Sequence, residues 1–280
     1  MTFIDAILNF VCLLLWVSWR SLSFDPLVKS QPLSLASTLK RTEPPVFSRW
    51  HFLTGLGVLL LLRGLLYWQI GPAVNWVPNL KLGAISIFFR SDLPSRILLF
   101  SLLSFLLTLL VFYLCLLLLS LVNGRGADEE PMQRLVKLHL GMVDRWPCPV
   151  KLLLPIVGSA ALWLAVEPLL AKLGLVEGAL SARHALERAT VIGLGAYLPW
   201  KYLIGGVLLL WLLVSYVYLG SHTLWSFILL TGRNLLRPLR RLPLQIGKVD
   251  FAPLLEVAIV FIAAQLAERG LTLLYARLPI

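Results

Sequence analysis

No charged residue lies between Arg96 and Arg125, and none between Lys201 and Arg233. Uncharged, leucine-rich runs of this length limit the possible folds more than any motif in the chain. A helix needs about 20 apolar residues to cross the hydrocarbon core of a bilayer. A lone strand there would leave its backbone N–H and C=O groups without partners. Composition agrees: only 14% of the 280 residues are charged, against roughly 25% in soluble domains. The expected fold class is all-α, a polytopic membrane protein.

Six segments satisfy the length requirement: about Phe3–Trp19, Phe52–Ile70, Ile97–Val122, Leu152–Ala171, Tyr202–Gly220 and Phe251–Leu274. The first has no lysine or arginine before it and no A-x-A cleavage site, and Arg20 follows it. It reads as a retained span rather than a signal peptide. Trp19, Trp50, Trp68, Trp146 and Trp200 fall near segment ends, where an aromatic belt belongs. Trp163 and Trp211 lie inside segments and are expected to pack against helices or lipid.

The six segments pair into three hairpins, and the loop inside each pair is basic. Arg20, Lys29, Lys40, Arg41 and Arg49 lie in the first loop, and Arg125, Arg134, Lys137, Arg145 and Lys151 in the second. The third carries Arg233, Arg237, Arg240, Arg241 and Lys248. The positive-inside rule then puts the basic loops in the cytoplasm and both termini outside. The formal charge of +11 is thereby explained by topology and by anionic lipid, and no nucleic-acid partner is expected. Pro155 and Pro253 occupy equivalent places in the second and third pairs, and Asn123 matches Ser221 at the ends of their first spans. Three copies of span, basic surface segment and span are the simplest account: a degenerate first repeat over 1–81, a second over 95–180 and a third over 197–280.

The third basic segment, Arg233–Glu256, reads RNLLRPLRRLPLQIGKVDFAPLLE. At the helical period, Arg233, Arg237, Arg240 and Arg241 cluster on one side and Leu235, Leu236, Leu239 and Leu242 on the other. This pattern predicts a helix on the membrane surface, broken at Pro238. A turn at Gln245–Lys248 then leads to a helix capped by Asp250, with Pro253 in its first turn. In the second loop, DEEP at Asp128–Pro131 opens another surface helix, with an apolar stripe at Leu135, Leu138, Met142 and Trp146.

Candidates for chemistry are sparse. Glu256 is either a shallow acid at a helix start or an ion or proton ligand. Arg63 is the deepest charge. It is expected to snorkel outward or to pair with Glu167 or Glu268, because a lone arginine in lipid costs about 3 kcal/mol or more. Glu167 and Glu268 sit near segment ends, where snorkelling suffices. Cys12, Cys115 and Cys148 have no C-x-x-C or zinc spacing and read as small apolar residues. His51, His139, His184 and His222 have no ligand spacing. No Walker A, G-x-S-x-G or H-E-x-x-H motif occurs. Gly193, Gly195, Gly205 and Gly206 read as helix-packing or turn residues. No enzyme, cofactor or metal is expected.

The residues RNLLRPLRRLP at Arg233–Pro243 and GKVDFAP at Gly247–Pro253 resemble the signature of the YggT family of small bacterial membrane proteins, related to the YlmG proteins. The matching positions are Leu236, Arg237, Pro238, Arg240, Arg241, Pro243, Gly247, Asp250 and Pro253. The chain departs from the signature at Arg233-Asn234, where the family has Asp-Pro, and at Lys248, where it has a second glycine. The resemblance covers about the last 80 residues clearly and the middle repeat faintly. It implies a non-enzymatic scaffold or assembly factor of the bacterial inner membrane. Such a protein binds anionic lipid and other membrane-protein subunits through its basic loops. A small channel or transport-related subunit in ion homeostasis is the other function the family suggests.

Overall fold

The computed structural model describes residues 2–23, 49–73, 76–83, 85–89, 93–124, 131–176, 178, 181–217, 220, 222–237, 245–246 and 249–278. Helices dominate: α1 (Thr2–Ser23), α2 (Arg49–Ala73), α3 (Pro94–Asn123), α4 (Pro131–Leu140), α5 (Cys148–Lys172), α6 (Ala182–Gly195), α7 (Trp200–Tyr216), α8 (Thr223–Leu235) and α9 (Ala252–Arg277). Two hairpins of short strands accompany them, β1 (Asn79–Leu82) with β2 (Ile85–Phe88) and β3 (Gln245–Ile246) with β4 (Val249–Asp250). Among the described residues, six helical stretches are long and apolar enough to cross a membrane, each falling on one of the segments expected from sequence. The protein is an all-α, polytopic membrane protein.

Two differences from the sequence reading are helices it passed over. The stretch 182–195, taken as a plain connection, forms α6, capped by the Ser181 side chain accepting from the His184 N–H. It runs into α7 through i→i−3 turns at 196–200, so the fifth candidate span covers 35 residues, Ala182–Tyr216. At about 1.5 Å per residue that exceeds the roughly 30 Å hydrocarbon core. The uncharged part is α7 after Lys201. The other is α8, an amphipathic helix that starts at Thr223, behind a His222 ring nitrogen that accepts from the Leu224 N–H. The helix expected to begin at Arg233 thus begins ten residues earlier and has ended by Leu235. Proline at 238 disfavours the α conformation at Arg237, and Leu236 and Arg237 lie in a turn. Pro238, Arg240, Arg241, Pro243 and Gly247 fall outside the described residues.

The chain forms two compact units. The first comprises 1–78 and 88–109. Here α1 packs along α2 through buried Cys12, Leu56 and Phe105, with Leu15, Trp16, Leu59 and Leu60 around them. Tyr67, Trp76, Phe89 and Phe100 form an edge-to-face aromatic cluster beside this contact.

The second unit comprises 79–87 and 110–280. It is built on the α5–α6 and α7–α9 contacts, with α8 against α7. Leu208, Leu236 and Ala252 form its buried cluster, and Ile204, Trp211, Leu235 and Val257 pack against it. Leu236 and Pro253, two of the motif residues, are both buried. The α5 helix starts at Cys148 with a proline, Pro149, in its first turn. Pro155 is therefore interior to α5, whereas Pro253 is in the first turn of α9.

Glycines set the closest approaches in this unit. A Cβ on Gly193 would stand 2.6 Å from the Ile156 carbonyl oxygen, and one on Gly232 would stand 2.4 Å from Trp211 Cδ1. Backbone on one side and a wedged indole on the other leave no room for a methyl group, so α6 lies tight on α5 and α8 tight on α7. Gly193→Ala is expected to destabilise the protein by about 1–3 kcal/mol, the usual cost of overpacking. Gly206→Ala, where the new Cβ meets nothing within 4 Å, should be neutral or stabilising. The midpoint of unfolding in mixed micelles checks both.

Candidate functional site

One buried polar cluster lies in the first unit. On α1, Asp5 and Asn9 are four residues apart and share one face. Arg63 and Tyr67 do the same on α2, and Ser104 faces them from α3. The guanidinium of Arg63, 1% exposed, donates to Asp5 and, at 2.7 Å, to Asn9 Oδ1. Tyr67 donates its hydroxyl to Asp5 at 3.1 Å. Asn9 Nδ2 donates to Ser104 Oγ at 2.9 Å, and Ser104 to Asp5 Oδ2 at 3.3 Å. The Tyr67 and Phe100 rings stand 5.5 and 5.8 Å from the guanidinium carbon. Arg63 thus pairs with Asp5. The expectation of Glu167 or Glu268 is overturned because an acid on the neighbouring helix of the same hairpin is already within reach.

Those two acids have their own partners. Glu167 Oε1 lies 3.8 Å from Arg188 on α6, and both side chains are buried. Glu268 bridges Lys201 at 3.2 Å. Glu167 belongs to a buried face of α5 that runs Lys151, Pro155, Ser159, Trp163, Glu167, Leu170. Trp163, left open between packing and lipid by sequence, is buried there.

A second polar cluster holds the ends of helices together in the second unit. Lys151 donates to Ser120 at 2.7 Å and stands 3.6 Å from Asp144, which also accepts from Ser120 at 2.5 Å. Asn123 donates to Thr231 Oγ1 at 3.0 Å and accepts from Asn234 at 3.2 Å. Gln133 donates to the Gly124 carbonyl at 3.0 Å. These bonds fasten α8 to the end of α3, and α4 to the turn that leaves it. Leu135 of α4 and Met142 beyond it, two residues of the expected apolar stripe, face outward, while Gln133, Val136 and His139 are buried. The helix also ends at Leu140 and tightens into a 3-10 turn over Gly141–Arg145, so the stripe does not continue in register to Trp146.

Of the four arginines in the third basic segment, two are among the described residues, at the end of α8. Arg233 lies in its last turn and Arg237 in the turn beyond, both exposed. The N-cap position of α9 falls on Phe251, with no side-chain cap bond, and the Asp250 backbone is paired with Gln245 in the β3–β4 hairpin. Glu256 is buried, and its Oε2 has no hydrogen-bond partner. Among the described residues, no three His, Cys, Asp or Glu side chains form a group that could hold a metal ion. Cys12 is buried, but Cys148, at the start of α5, is exposed.

Sequence reading missed Asp5, Asn9 and Ser104 as partners of Arg63. The available signal was the four-residue spacing of Asp5 and Asn9 on one face of the first span. Comparison of the chain with protein-family models, curated proteins and solved structures finds no match.

The Arg63–Asp5 pair makes a clear test. Arg63→Leu leaves a buried carboxylate beside lipid and is expected to cost about 3 kcal/mol, the lower end for breaking a buried pair, because Asp5 keeps some exposure. Arg63→Leu with Asp5→Leu should cost less than Arg63→Leu alone. A double-mutant cycle of unfolding midpoints in micelles measures the difference.

Proposed function

We propose that the protein is a non-enzymatic scaffold or assembly factor of the kind its YggT-like motif suggests, sited in the bacterial inner membrane. The observation that carries this reading is the mounting of the basic edge. Thr231 and Asn234 bond to Asn123, and Gly232 lies against Trp211, so α8 presents Arg233 and Arg237 from a fixed support. Arg240 and Arg241 follow in sequence. Four arginines within nine residues attract anionic headgroups at about 1 kcal/mol each near the surface, and guanidinium forks suit carboxylates or phosphates on a partner subunit. The three-repeat organisation and cytoplasmic placement of the basic loops belong to the same proposal. Partly exposed or buried ion pairs elsewhere act on this reading as ties between helices.

The arginine edge is tested by reversing Arg233, Arg237, Arg240 and Arg241 to glutamate in the full-length protein. Membrane insertion should persist while a co-purifying membrane protein or bound anionic lipid is lost from mild-detergent extracts. Unchanged co-purification with reversed charge would defeat the proposal. Reversal of Arg183, an exposed arginine paired with Glu187 on its own helix, serves as the control. Topology is checked separately with single cysteines in a cysteine-free background: Met142→Cys should react with an impermeant thiol reagent from the cytoplasmic face, and Gly178→Cys from the outside.

One observation favours a second reading, a small ion-conducting subunit. Glu256 is a buried acid within a candidate span, with an oxygen that has no partner. On that reading Glu256→Gln abolishes cation or proton flux in reconstituted vesicles. On the scaffold reading, wild type and variant give the same background flux.

A further inference from the structure

The second unit contains a cavity of about 320 Å³ between α3, α4, the 3-10 turn and α5. That is the lower end of the roughly 300–1,000 Å³ typical of small-ligand sites. Its walls are apolar, chiefly Leu110, Leu114, Leu117 and Leu154. Two of its lining residues, His139 and Ser159, are polar, more than nine-tenths buried, and each has an atom with no hydrogen-bond partner: His139 Nε2 and Ser159 Oγ.

The histidine's chemistry is fixed by its other nitrogen. His139 Nδ1 lies 3.0 Å from the Leu135 carbonyl oxygen, which can only accept, so Nδ1 carries the proton. In the neutral ring Nε2 is then a bare acceptor. Phe112 holds the ring edge-on at 5.7 Å. Ser159 supplies a hydroxyl that can donate or accept. A buried polar group without a partner is costly, about 1–3 kcal/mol, so two of them on one apolar cavity call for a ligand that is apolar over most of its surface and polar at one point. A hydroxyl suits both groups, since it donates to Nε2 and accepts from Ser159. Gly158 adds open space: a Cβ there meets nothing within 4 Å.

We propose that this cavity binds a neutral, membrane-soluble alcohol or phenol, with its apolar body among the leucines and its hydroxyl on His139 or Ser159. The site is separate from the arginine edge and does not depend on the function assigned to it.

The test uses the full chain in lipid nanodiscs and a photoreactive probe, dodecanol carrying a mid-chain diazirine. Labelling is expected in the peptides that carry 110–117 and 154–159, and unlabelled dodecanol should compete it away. Dodecyl methyl ether, which cannot donate to Nε2, should compete about five- to tenfold less well. His139→Phe and Ser159→Ala should each narrow that difference. Gly158→Leu, which fills the cavity, should abolish labelling, while Gly158→Ala retains it as a control for folding. Equal competition by alcohol and ether would overturn the proposal. So would undiminished labelling in Gly158→Leu, or labelling that does not saturate, which is ordinary contact with lipid chains.

Discussion

Hydrocarbon forms no hydrogen bonds, and the placement of polar groups in this protein follows from that constraint. The backbone meets it by folding into helices. Side chains are a harder case, because each charge or amide placed in a span must find a partner on another span or reach the interface. Arg63 illustrates the solution. Its guanidinium has Asp5 and Asn9 as acceptors, Tyr67 and Ser104 complete the acid's bonding, and the Tyr67 and Phe100 rings face the charge. The cost of burying one charge is shared among three helices, and those helices are thereby held in one register. Leucine against leucine, by contrast, leaves helices free to slide, since lipid is as apolar as the neighbouring helix.

The longest helix shows the same logic along its length. Nearly all of α3 is apolar, and four of its polar residues are engaged by other elements. Ser101 donates to the Leu60 carbonyl and Ser104 joins the arginine cluster in the first unit. Ser120 and Asn123 hold Lys151, Asp144, Thr231 and Asn234 in the second. Glycine supplies the complementary device. Where Gly193 and Gly232 remove a side chain, helices approach until van der Waals contact is continuous. Polar latches set which faces meet, and small residues set how closely.

This division explains what the sequence disclosed. The spans were legible because hydropathy over about 20 residues is a property of the segment alone. The helical form of the second basic loop was also legible from DEEP and the proline that opens α4. Partner choice was not. Arg63 had several acids available by depth, and selecting Asp5 required knowing which faces of α1 and α2 meet. The buried face of α4 was not legible for a related reason: Gln133 and His139 are polar in sequence, yet they meet the Gly124 carbonyl and the Phe112 ring. The start of α8 was missed because TLWSFILLTG falls in the loop after the fifth segment, and the arginines from Arg233 onward drew the helix to themselves. A single histidine at its N-cap is a weak stop signal beside the serine, threonine, aspartate and asparagine that usually mark one.

The arginine-rich motif is best understood through the helix that precedes it. A basic surface helix lying freely on lipid would need its own leucines to hold it down, and the sequence suggested that arrangement. In the structure the anchoring is done upstream, by Thr231, Gly232 and Asn234, and the leucine of the motif, Leu236, is buried against Leu208 and Ala252 rather than turned to lipid. Leu235 and Leu236 are therefore packed inside the protein. That leaves the charge of Arg233 and Arg237 displayed at a fixed position, with less conformational entropy to lose when an anionic group binds than a free loop would have. A loop whose sole task was to satisfy the positive-inside rule would need the charge but not the mounting, and the proposed docking role rests on that difference.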